Sequence, residues 1–477
     1  MDLKRKVVKG LKWSFADQFL SQFIFLIFSI FMARILSPSD FGIISSITIF
    51  TGFATLFIDM GFGMALVQKK DADNEHYSSV FWLNIFIGFF LYGLFFFTAP
   101  ILSDFFNQPQ ITILIRVICL TFIINSLTAV QTNLLSKELK FKQKIIINWI
   151  SIVIGYLVAF YLAFNNYGVW AIVWMTIVTA TVNLILYWLS TSWFPSFFFN
   201  INKIKELSNF GFSVLGETSV NYWSRNFDNF IIARVLGSTE LGLYTRAYSL
   251  MLLPLRNISS VITKVMFPAF SKKQDDISTI KRYYLLLIKY IALLTFPAMI
   301  GLSLISREFV LLFFGDTWKG MIPVLSILSI VGAIQSIFFL NGMIYNTLGR
   351  ANIAFRISLL VNFVLIIAFL VGVNYGIVGM AWSYLIASLL LFFPIYNTAI
   401  QQLNITLFEV FCNLKGIVLA TIAMAILLFG FNIYFDSSLL MSLLVKTMFG
   451  FIIYGASLLF FEKELLLNLI NKLKSQI

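Results

Sequence analysis

Charged residues are scarce in this sequence, since only 12% of its 477 residues are Asp, Glu, Lys or Arg, whereas 60% are hydrophobic. Ordinary soluble domains carry about 25% charged residues, and a soluble protein could not hide this much apolar surface. Histidine occurs only once, as His76, which lies in a charged segment and is expected to be solvated. The composition therefore predicts an integral membrane protein.

Cysteine is nearly absent as well, with only Cys119 and Cys412, each in or beside an apolar segment. The two residues provide neither a metal-ligand spacing nor a disulfide framework, so we expect no metal site. A Walker-type glycine-rich loop is also missing, and we expect no built-in ATPase and no cofactor. The loops between the apolar segments are too short to form a catalytic domain, so the protein is not expected to be an enzyme.

Long apolar segments recur along the whole chain, and each can cross about 30 Å of lipid as a helix of about 20 residues. They predict an all-α membrane protein with about 14 transmembrane helices. The first six are expected near 12–36, 41–67, 79–103, 110–135, 145–164 and 168–190. The next six are expected near 208–236, 241–267, 283–306, 321–347, 353–372 and 377–397, and a final pair near 415–435 and 439–461.

Lysine and arginine are distributed unequally between the two sets of loops. With the leader MDLKRKVVKGLKW on the inner side, that side collects most of them, and the opposite loops or their edges hold only Arg34, Arg234, Arg307 and Lys319. This positive-inside pattern predicts that both termini are cytoplasmic. The first span is too long for a signal-peptide core and lacks a cleavage site. The net charge of +13 is therefore assigned to topology and to anionic lipid headgroups, and no nucleic-acid partner is expected.

Three pairs of similar segments recur about 200 residues apart. The pairs are ARILSPSDFG (33–42) with ARVLGSTELG (233–242), NNYGVWA (165–171) with VNYGIVG (373–379), and Phe105-Phe106 with Phe313-Phe314. They predict two six-helix lobes, 1–200 and 201–400, related by a pseudo-twofold axis along the membrane normal. Residues 401–477 then form a C-terminal helix pair and a cytoplasmic tail. Parallel repeats of this kind are typical of transporters whose substrate site lies between the halves.

A polar stripe is predicted on the seventh span. Glu217, Asn221, Arg225 and Asp228 are spaced 4, 4 and 3 residues apart, which places them on one face of a helix. An ionised side chain in hydrocarbon costs roughly 3 kcal/mol or more, so these groups are expected to face protein, water or a ligand. Arg225 and Asp228 either neutralise each other or take part directly in a substrate or ion cycle.

Further ionisable residues lie in or near the predicted spans. Arg246 and Arg256 are either cations of a cavity or members of structural ion pairs. Glu217 has no cation at helical spacing in its own span, which makes it a candidate for ion coupling. Asp59, in GFATLFIDMGFG, is expected either to bind a cation or to pair with an arginine, and Asp17, the repeat equivalent of Glu217, has a functional or a structural role.

Lys289, Arg116 and Lys446 lie within two turns of span ends, where long side chains are expected to reach the membrane interface.

Several segments together resemble a known family. The stretch RNFDNFIIARVLGSTELGLYTRAYSL, the later MFPAFSKKQDD, and the N-terminal GLKWS and ARILSPSDFG resemble the polysaccharide-transporter branch of the multidrug/oligosaccharidyl-lipid/polysaccharide exporter superfamily. Within that branch the chain looks most similar to colanic-acid and teichuronic-acid exporters, and the likeness covers nearly its whole length. The resemblance implies a flippase of the bacterial plasma membrane that moves undecaprenyl-diphosphate-linked oligosaccharides outward by alternating access.

The resemblance also implies partners, and its motif places polar positions on Arg225, Asp228, Arg246 and Arg256. The expected partners are a lipid-linked oligosaccharide, membrane lipids, a polysaccharide polymerase and glycosyltransferases, and a proton or sodium gradient is the expected energy source. Guanidinium groups suit a lipid diphosphate because they form charge-assisted, often bidentate hydrogen bonds. The residues predicted to bind the diphosphate are Arg225, Arg246 and Arg256, and those predicted to couple ions or line the cavity are Glu217, Asp228, Asp59 and Asp17.

Three alternatives to this function remain open from the sequence. The first is a cation-coupled multidrug exporter of the same superfamily, whose site would favour carboxylates and aromatic residues over arginines. The second is a membrane enzyme such as a glycan polymerase or ligase, which would need a sizeable outer loop that the chain does not show. The third is a structural partner of a glycosyltransferase complex.

Overall fold

The computed structural model describes the backbone of residues 3–435 and 437–463. Side chains are described for all of these residues except 3–17, 19, 256, 260, 261, 264, 265, 268, 269, 351 and 434. Within the described ranges every regular element is helical, which confirms the predicted all-α class.

The helices follow one another with short connections. The first are α1 (Leu3–Ile35), α2 (Pro38–Asp59), α3 (Phe62–Gln68), α4 (Asn74–Phe105), α5 (Ile111–Ile118), α6 (Leu120–Lys137), α7 (Phe141–Phe164), α8 (Trp170–Ser190) and α9 (Ile201–Val235). The next are α10 (Ser238–Pro254), α11 (Ser260–Ser271), α12 (Ile277–Leu304), α13 (Ser306–Phe313), α14 (Met321–Thr347), α15 (Ala351–Gly372), α16 (Gly376–Gln401), α17 (Leu407–Tyr434) and α18 (Leu439–Phe461). A π-helical turn, Leu255–Ser259, lies between α10 and α11, and 3₁₀ turns form at Asp316–Trp318 and Val373–Tyr375.

The helices have the length and composition of membrane spans. Among the described residues, 10 helical stretches are long and apolar enough to cross a membrane, and one of them, Asn352–Gln401, covers both α15 and α16. Each predicted span overlaps an observed helix or pair of helices. The protein is therefore a multi-pass membrane protein. The single spans predicted near 41–67 and 110–135 are each divided in two, the first at Met60–Gly61 and the second at Cys119.

Local sequence explains where several helices begin. At the start of α2, the Ser37 side chain accepts from the Asp40 N–H, and the Asp40 carboxylate accepts from the Ser37 N–H at 2.9 Å. Pro38 follows at the first helical position, where its missing N–H is not needed. Thr406 and Glu409 form the same reciprocal cap at the start of α17. These caps satisfy backbone donors that the first helical turn leaves without partners.

Contacts along the chain define two compact units, Met1–Gly242 and Leu243–Ile477, and the boundary falls within α10. The first unit contains a core of side chains from α3, α4, α6 and α9, among them Phe62, Phe81 and Val130. The predicted lobes, the helix pair at the C-terminus and the pseudo-twofold axis stay predictions.

The second unit is built around α12, α14, α16 and α17. Tyr284 lies fully buried in this core, and its hydroxyl donates to Oδ1 of Asn341 at 3.0 Å. Away from this core, Lys446 of α18 forms a salt bridge with Glu308 of α13 at 2.7 Å, with side chains only 5% and 6% exposed. The prediction that Lys446 reaches the membrane interface is therefore wrong, because a buried carboxylate on another helix holds its ammonium group.

The other two basic residues expected at the interface also have partners. Lys289 forms a salt bridge with Glu462 at 2.8 Å. The Nε of Arg116 donates to the Phe96 carbonyl at 3.3 Å, and its guanidinium lies 4.5 Å from the centre of the Phe96 ring. Both contacts keep the charged groups beside polar or aromatic protein groups.

Candidate functional site

The polar stripe predicted on the seventh span lies on α9. Glu217, Asn221 and Arg225 are exposed, and they are one helical turn apart. The Nε of Arg225 donates to Oδ1 of Asn221 at 3.1 Å, which orients the guanidinium along this face. The three residues, called the α9 stripe below, therefore present a carboxylate, an amide and a guanidinium side by side.

Asp228 differs from the α9 stripe because it is only 4% exposed. Its Oδ1 accepts from the backbone N–H of Asn229 at 2.8 Å. Its carboxylate therefore lies within the protein, whereas the guanidinium of Arg225 lies on an exposed face.

The opposite side of α9 is held against α2 within the first unit. The hydroxyl of Tyr222 donates to the backbone carbonyls of Thr48 and Ile49 at 2.8 and 3.0 Å. A Cβ on Gly52 would lie 2.5 Å from that hydroxyl oxygen, so a larger residue at this position would have to displace the Tyr222 side chain. Phe53 also packs on Trp223, with ring centres 5.4 Å apart. This packing fixes the rotation of α9 and leaves its stripe exposed.

The two copies of the repeated ten-residue segment touch each other. A Cβ on Gly42 would lie 1.7 Å from the Ser238 carbonyl oxygen, and a Cβ on Gly242 would lie 1.9 Å from the Pro38 carbonyl oxygen. Because position 38 corresponds to 238 and position 42 to 242, the contact is reciprocal, which is the local pattern of a twofold contact. The helix starts of α2 and α10 therefore cross with their backbones in direct contact.

Asp59 lies at the end of α2, where the helix breaks. Its Oδ2 accepts from the backbone N–H of Gly63 at 2.9 Å. The side chains of Asn84 and Asn133 lie beside its carboxylate. Among the side chains that the structure describes, none forms a salt bridge with Asp59, so the predicted alternative of pairing with an arginine has no counterpart there.

For three of the predicted site residues the structure describes less of the surroundings. Arg246 lies half-buried on α10. The backbone of Arg256 belongs to the π-helical turn that follows Pro254, where the ring removes a backbone donor, but its side chain is outside the described residues. Asp17 has a described backbone in α1, and its side chain is likewise outside the described residues. The roles predicted for all seven site residues stay predictions.

His76 is the main residue that sequence reasoning misplaced. Its side chain is only 2% exposed, so the prediction of a solvated histidine is wrong. Nδ1 lies 2.6 Å from Oδ1 of Asp73, and Nε2 lies 3.1 Å from Oε2 of Glu206. Lys203 and Lys69 complete this His76 cluster, with salt bridges of 2.8 Å to Asp73 and Glu206 respectively.

The His76 cluster joins the segment before α4 to the start of α9. The bond from Lys203 holds the pKa of the Asp73 carboxyl well below its usual range. Two hydrogen bonds lower the pKa of the Glu206 carboxyl to about 2: the one from Lys69 has the larger effect, and the one with His76 adds to it. The three-residue spacing of Asp73 and His76, typical of a capping pair, is the signal that could have located part of this cluster.

The class of protein follows from these features. Long apolar helices, breaks within the spans and a polar stripe on a mostly apolar helix are typical of membrane transporters. Comparison with solved structures finds a similar fold in two membrane proteins. A lipid II flippase, MurJ, in an inward closed conformation superposes with a TM-score of 0.76 over 95% of this chain and 99% of that one, at 16% identity. An inward-facing multidrug resistance MATE family transporter of the MOP superfamily has a TM-score of 0.60 over 82% of this chain and 95% of that one, at 15% identity.

The chain belongs to the polysaccharide biosynthesis protein family, whose profile matches residues 31–323. It is 28% identical over 437 residues to the teichuronic acid biosynthesis protein TuaB of Bacillus subtilis (strain 168), covering 90% of each chain. It is also 26% identical over 397 residues to the lipopolysaccharide biosynthesis protein WzxC of Escherichia coli (strain K12), covering 82% of this chain and 80% of that one. These matches confirm the predicted family and its transporter fold.

Proposed function

We propose that this protein is a flippase that moves an undecaprenyl-diphosphate-linked oligosaccharide from the cytoplasmic to the outer leaflet of a bacterial plasma membrane. Two findings support the proposal together. The chain belongs to a polysaccharide biosynthesis family, and it shares its fold with a lipid II flippase. The proposed product is a surface polysaccharide, and a polymerase and glycosyltransferases are its proposed partners.

The α9 stripe is the observation that connects the proposed function with individual residues. A lipid diphosphate is a multiply charged anion that must cross about 30 Å of hydrocarbon. The exposed guanidinium of Arg225, oriented by Asn221, can offer two parallel N–H groups to a phosphate. In this proposal Arg246 and Arg256 contribute further cations. The sugars then travel in a polar path while the polyprenyl tail stays in lipid.

An ion gradient is the proposed energy source. No Walker-type loop is present in the sequence, and the gradient is proposed to supply the free energy for directional movement. Proton or sodium exchange at Glu217, Asp228, Asp59 or Asp17 is proposed to change the charge around the diphosphate between inward and outward states. The proposed membrane is the bacterial plasma membrane, with both termini in the cytoplasm.

A multidrug exporter is the second candidate function, and the fold shared with the MATE family transporter favours it. Deletion of the gene in its own host, followed by restoration with the full chain, separates the two. The flippase function predicts loss of surface polysaccharide and accumulation of the lipid-linked repeat unit, with drug susceptibility unchanged. Normal polysaccharide with increased susceptibility to cationic drugs would overturn the flippase function and support the exporter.

A further inference from the structure

A groove lies between the start of α7 and the end of α8, on other helices than the α9 stripe. Its volume is about 480 Å³. Polar side chains line one end of it, and aliphatic side chains line the rest. The polar residues are Lys140, Lys142, Gln143 and Ser190, and the aliphatic ones are Ile146, Ile147, Ile150 and Leu186. The groove is therefore amphipathic along its length.

The depth of the groove in the membrane follows from the helices that form it. α7 and α8 are both long and apolar enough to cross a membrane. Lys140 directly precedes α7 and Lys142 lies in its first turn, whereas Ile150 lies about 12 Å further along the helix axis. The lysines therefore lie at the edge of the hydrocarbon, and the aliphatic part of the groove lies within it.

The segment that follows α8 supports this depth. Residues 191–200 read TSWFPSFFFN, and the Phe197 side chain is 96% exposed. The segment is tied to α4, because the Ser196 N–H donates to Oγ of Ser78 at 3.1 Å and Nε1 of Trp82 donates to the Ser196 carbonyl at 2.9 Å. An exposed aromatic surface that is held in place is typical of contact with a membrane. The polar end of the groove thus lies at the level of the lipid headgroups.

Contacts between helices hold the walls of the groove in place. Ile147 belongs to a small buried cluster with Leu135 and Tyr187. The Tyr187 hydroxyl also donates to Oδ1 of Asn148 at 3.1 Å, which joins α8 to α7. A ligand therefore enters a groove that is already formed, and its binding does not have to order these side chains.

Positive charge exceeds negative charge among the residues around the polar end. Lys140, Lys142 and Lys144 follow one another closely, and the acidic residue Glu138 lies beside them. Glu138 forms a salt bridge with Lys140 at 2.6 Å, with side chains 53% and 51% exposed, and exposed pairs of this kind contribute little free energy. Nζ of Lys144 donates to the neutral hydroxyl of Ser136 at 3.1 Å. The polar end therefore suits an anion.

An anion that carries apolar chains matches both parts of the groove. Ammonium groups bind phosphate through charge-assisted hydrogen bonds, and basic pockets between transmembrane helices are places where anionic headgroups bind. The aliphatic side chains suit an acyl chain. A free phosphate would use the polar end alone, and a lipid without net charge would use the aliphatic part alone.

We propose that the α7–α8 groove binds one anionic phospholipid, with its phosphate at Lys140 and Lys142 and an acyl chain along Ile146 and Ile150. The site lies within the first compact unit. It does not depend on the flippase function, so the two can fail separately.

Native mass spectrometry of the purified full chain counts the lipids that the protein retains. The protein in neutral detergent is titrated with phosphatidylglycerol and, in parallel, with phosphatidylcholine. We expect one phosphatidylglycerol to bind with at least tenfold lower half-saturating concentration than phosphatidylcholine, and inorganic phosphate not to displace it. Lys140→Gln/Lys142→Gln should raise that concentration at least tenfold, because each lysine near an anionic headgroup strengthens binding, whereas Lys140→Arg/Lys142→Arg should bind as the wild type does.

Lys272→Gln/Lys273→Gln is the matched control, because it removes two exposed lysines from the second unit and should leave binding unchanged. Ile150→Trp fills the aliphatic part and should weaken binding with both lysines in place, so it decides the question even if the glutamine variant does not fold. Equal binding of both phospholipids, displacement by inorganic phosphate, an equal loss in the control, or unchanged binding in Ile150→Trp would overturn the site. Displacement of phosphatidylglycerol by an equal concentration of undecaprenyl phosphate would also overturn it, since the groove would then hold a polyprenyl lipid.

Discussion

Buried ionic pairs hold parts of this membrane protein together at the level of single residues. Lys446 and Glu308 are almost completely buried, and the Ser442 hydroxyl lies 3.5 Å from the same carboxylate oxygen. Removing one partner of a buried pair leaves a charge without compensation and destabilises by about 3–5 kcal/mol, whereas replacing both with apolar groups is often neutral. The pair therefore makes the α13–α18 contact sensitive to single substitutions.

Lys446→Met is expected to lower the stability of the protein by about 3–5 kcal/mol, because Glu308 keeps its charge in a buried position. The double variant Lys446→Met/Glu308→Leu should recover most of this loss. Thermal unfolding in detergent measures both. A single variant as stable as the wild type, or a double variant less stable than the single one, would contradict this account of the pair.

The charges of the His76 cluster predict how the stability of the protein changes at acid pH. The ordinary pKa of a glutamate is 4.5, and the bonds from Lys69 and His76 lower that of Glu206 to about 2 in the folded protein. A carboxyl whose pKa falls on folding stabilises the protein above its unfolded pKa, and this contribution disappears as the pH falls through the folded pKa. Glu206→Gln should therefore have a lower Tm than the wild type at pH 7, and the difference should shrink between pH 4.5 and about 2.

The control for this measurement is Asp71→Asn, whose exposed carboxylate lies 3.9 Å from Lys69. Its Tm should follow that of the wild type over the same pH range. A difference between Glu206→Gln and the wild type that stays constant, or grows, on acidification would mean that the cluster is not held by ionised carboxylates.

At the level of helices, the crossing of α2 and α10 depends on two glycines. Gly42 and Gly242 let the backbones touch, and the Oγ atoms of Ser39 and Ser238 lie 3.0 Å apart at the same place. A side chain at either glycine would meet a backbone carbonyl that cannot move aside without displacing its helix.

Cysteines introduced at positions 39 and 238 are expected to form a disulfide under mild oxidation. Adding Gly42→Val or Gly242→Val should reduce this cross-link strongly and by similar amounts, because the two contacts are reciprocal. Gly93→Val is the control, since no atom lies within 4 Å of the position that its Cβ would take. Unchanged cross-linking in the glycine variants, or an effect at one site alone, would contradict the reciprocal contact.

Sequence predicted these helices well but not the places where they break. Hydrophobicity over about 20 residues identifies a span because the thickness of the membrane sets the length. GFATLFIDMGFG is apolar on both sides of Asp59, so its hydrophobicity does not show the break at Met60–Gly61. The break depends on packing against α9 through Gly61 and Gly211 and on the bond from Gly63 to Asp59.

At the level of the whole molecule, the family was predictable and the partners of individual charges were not. The motif around Arg225, together with MFPAFSKKQDD, GLKWS and ARILSPSDFG, pointed to the family that the comparisons then showed. Glu206, one of the partners of His76, lies 130 residues away in the chain, and Glu308, the partner of Lys446, lies 138 residues away. Contacts of this range follow from tertiary packing, which no local pattern encodes.

The proposed flippase function depends on Arg225 meeting a lipid diphosphate. Arg356 provides a matched control, because it is also an exposed arginine but lies on α15 outside the proposed site. Arg225→Ala should lower the rate of translocation at least tenfold, which corresponds to about 1.4 kcal/mol in the transition state. Arg225→Lys should retain part of the activity, since it keeps the charge but not the bidentate geometry.

The most direct measurement is translocation of a fluorescent undecaprenyl-diphosphate oligosaccharide in proteoliposomes that contain the full chain and an imposed ion gradient. The account predicts movement between leaflets with the wild type and with Arg356→Ala, and a loss of at least tenfold with Arg225→Ala. A wild type that leaves the labelled lipid in its original leaflet, or an Arg225→Ala variant that moves it as fast, would contradict the account.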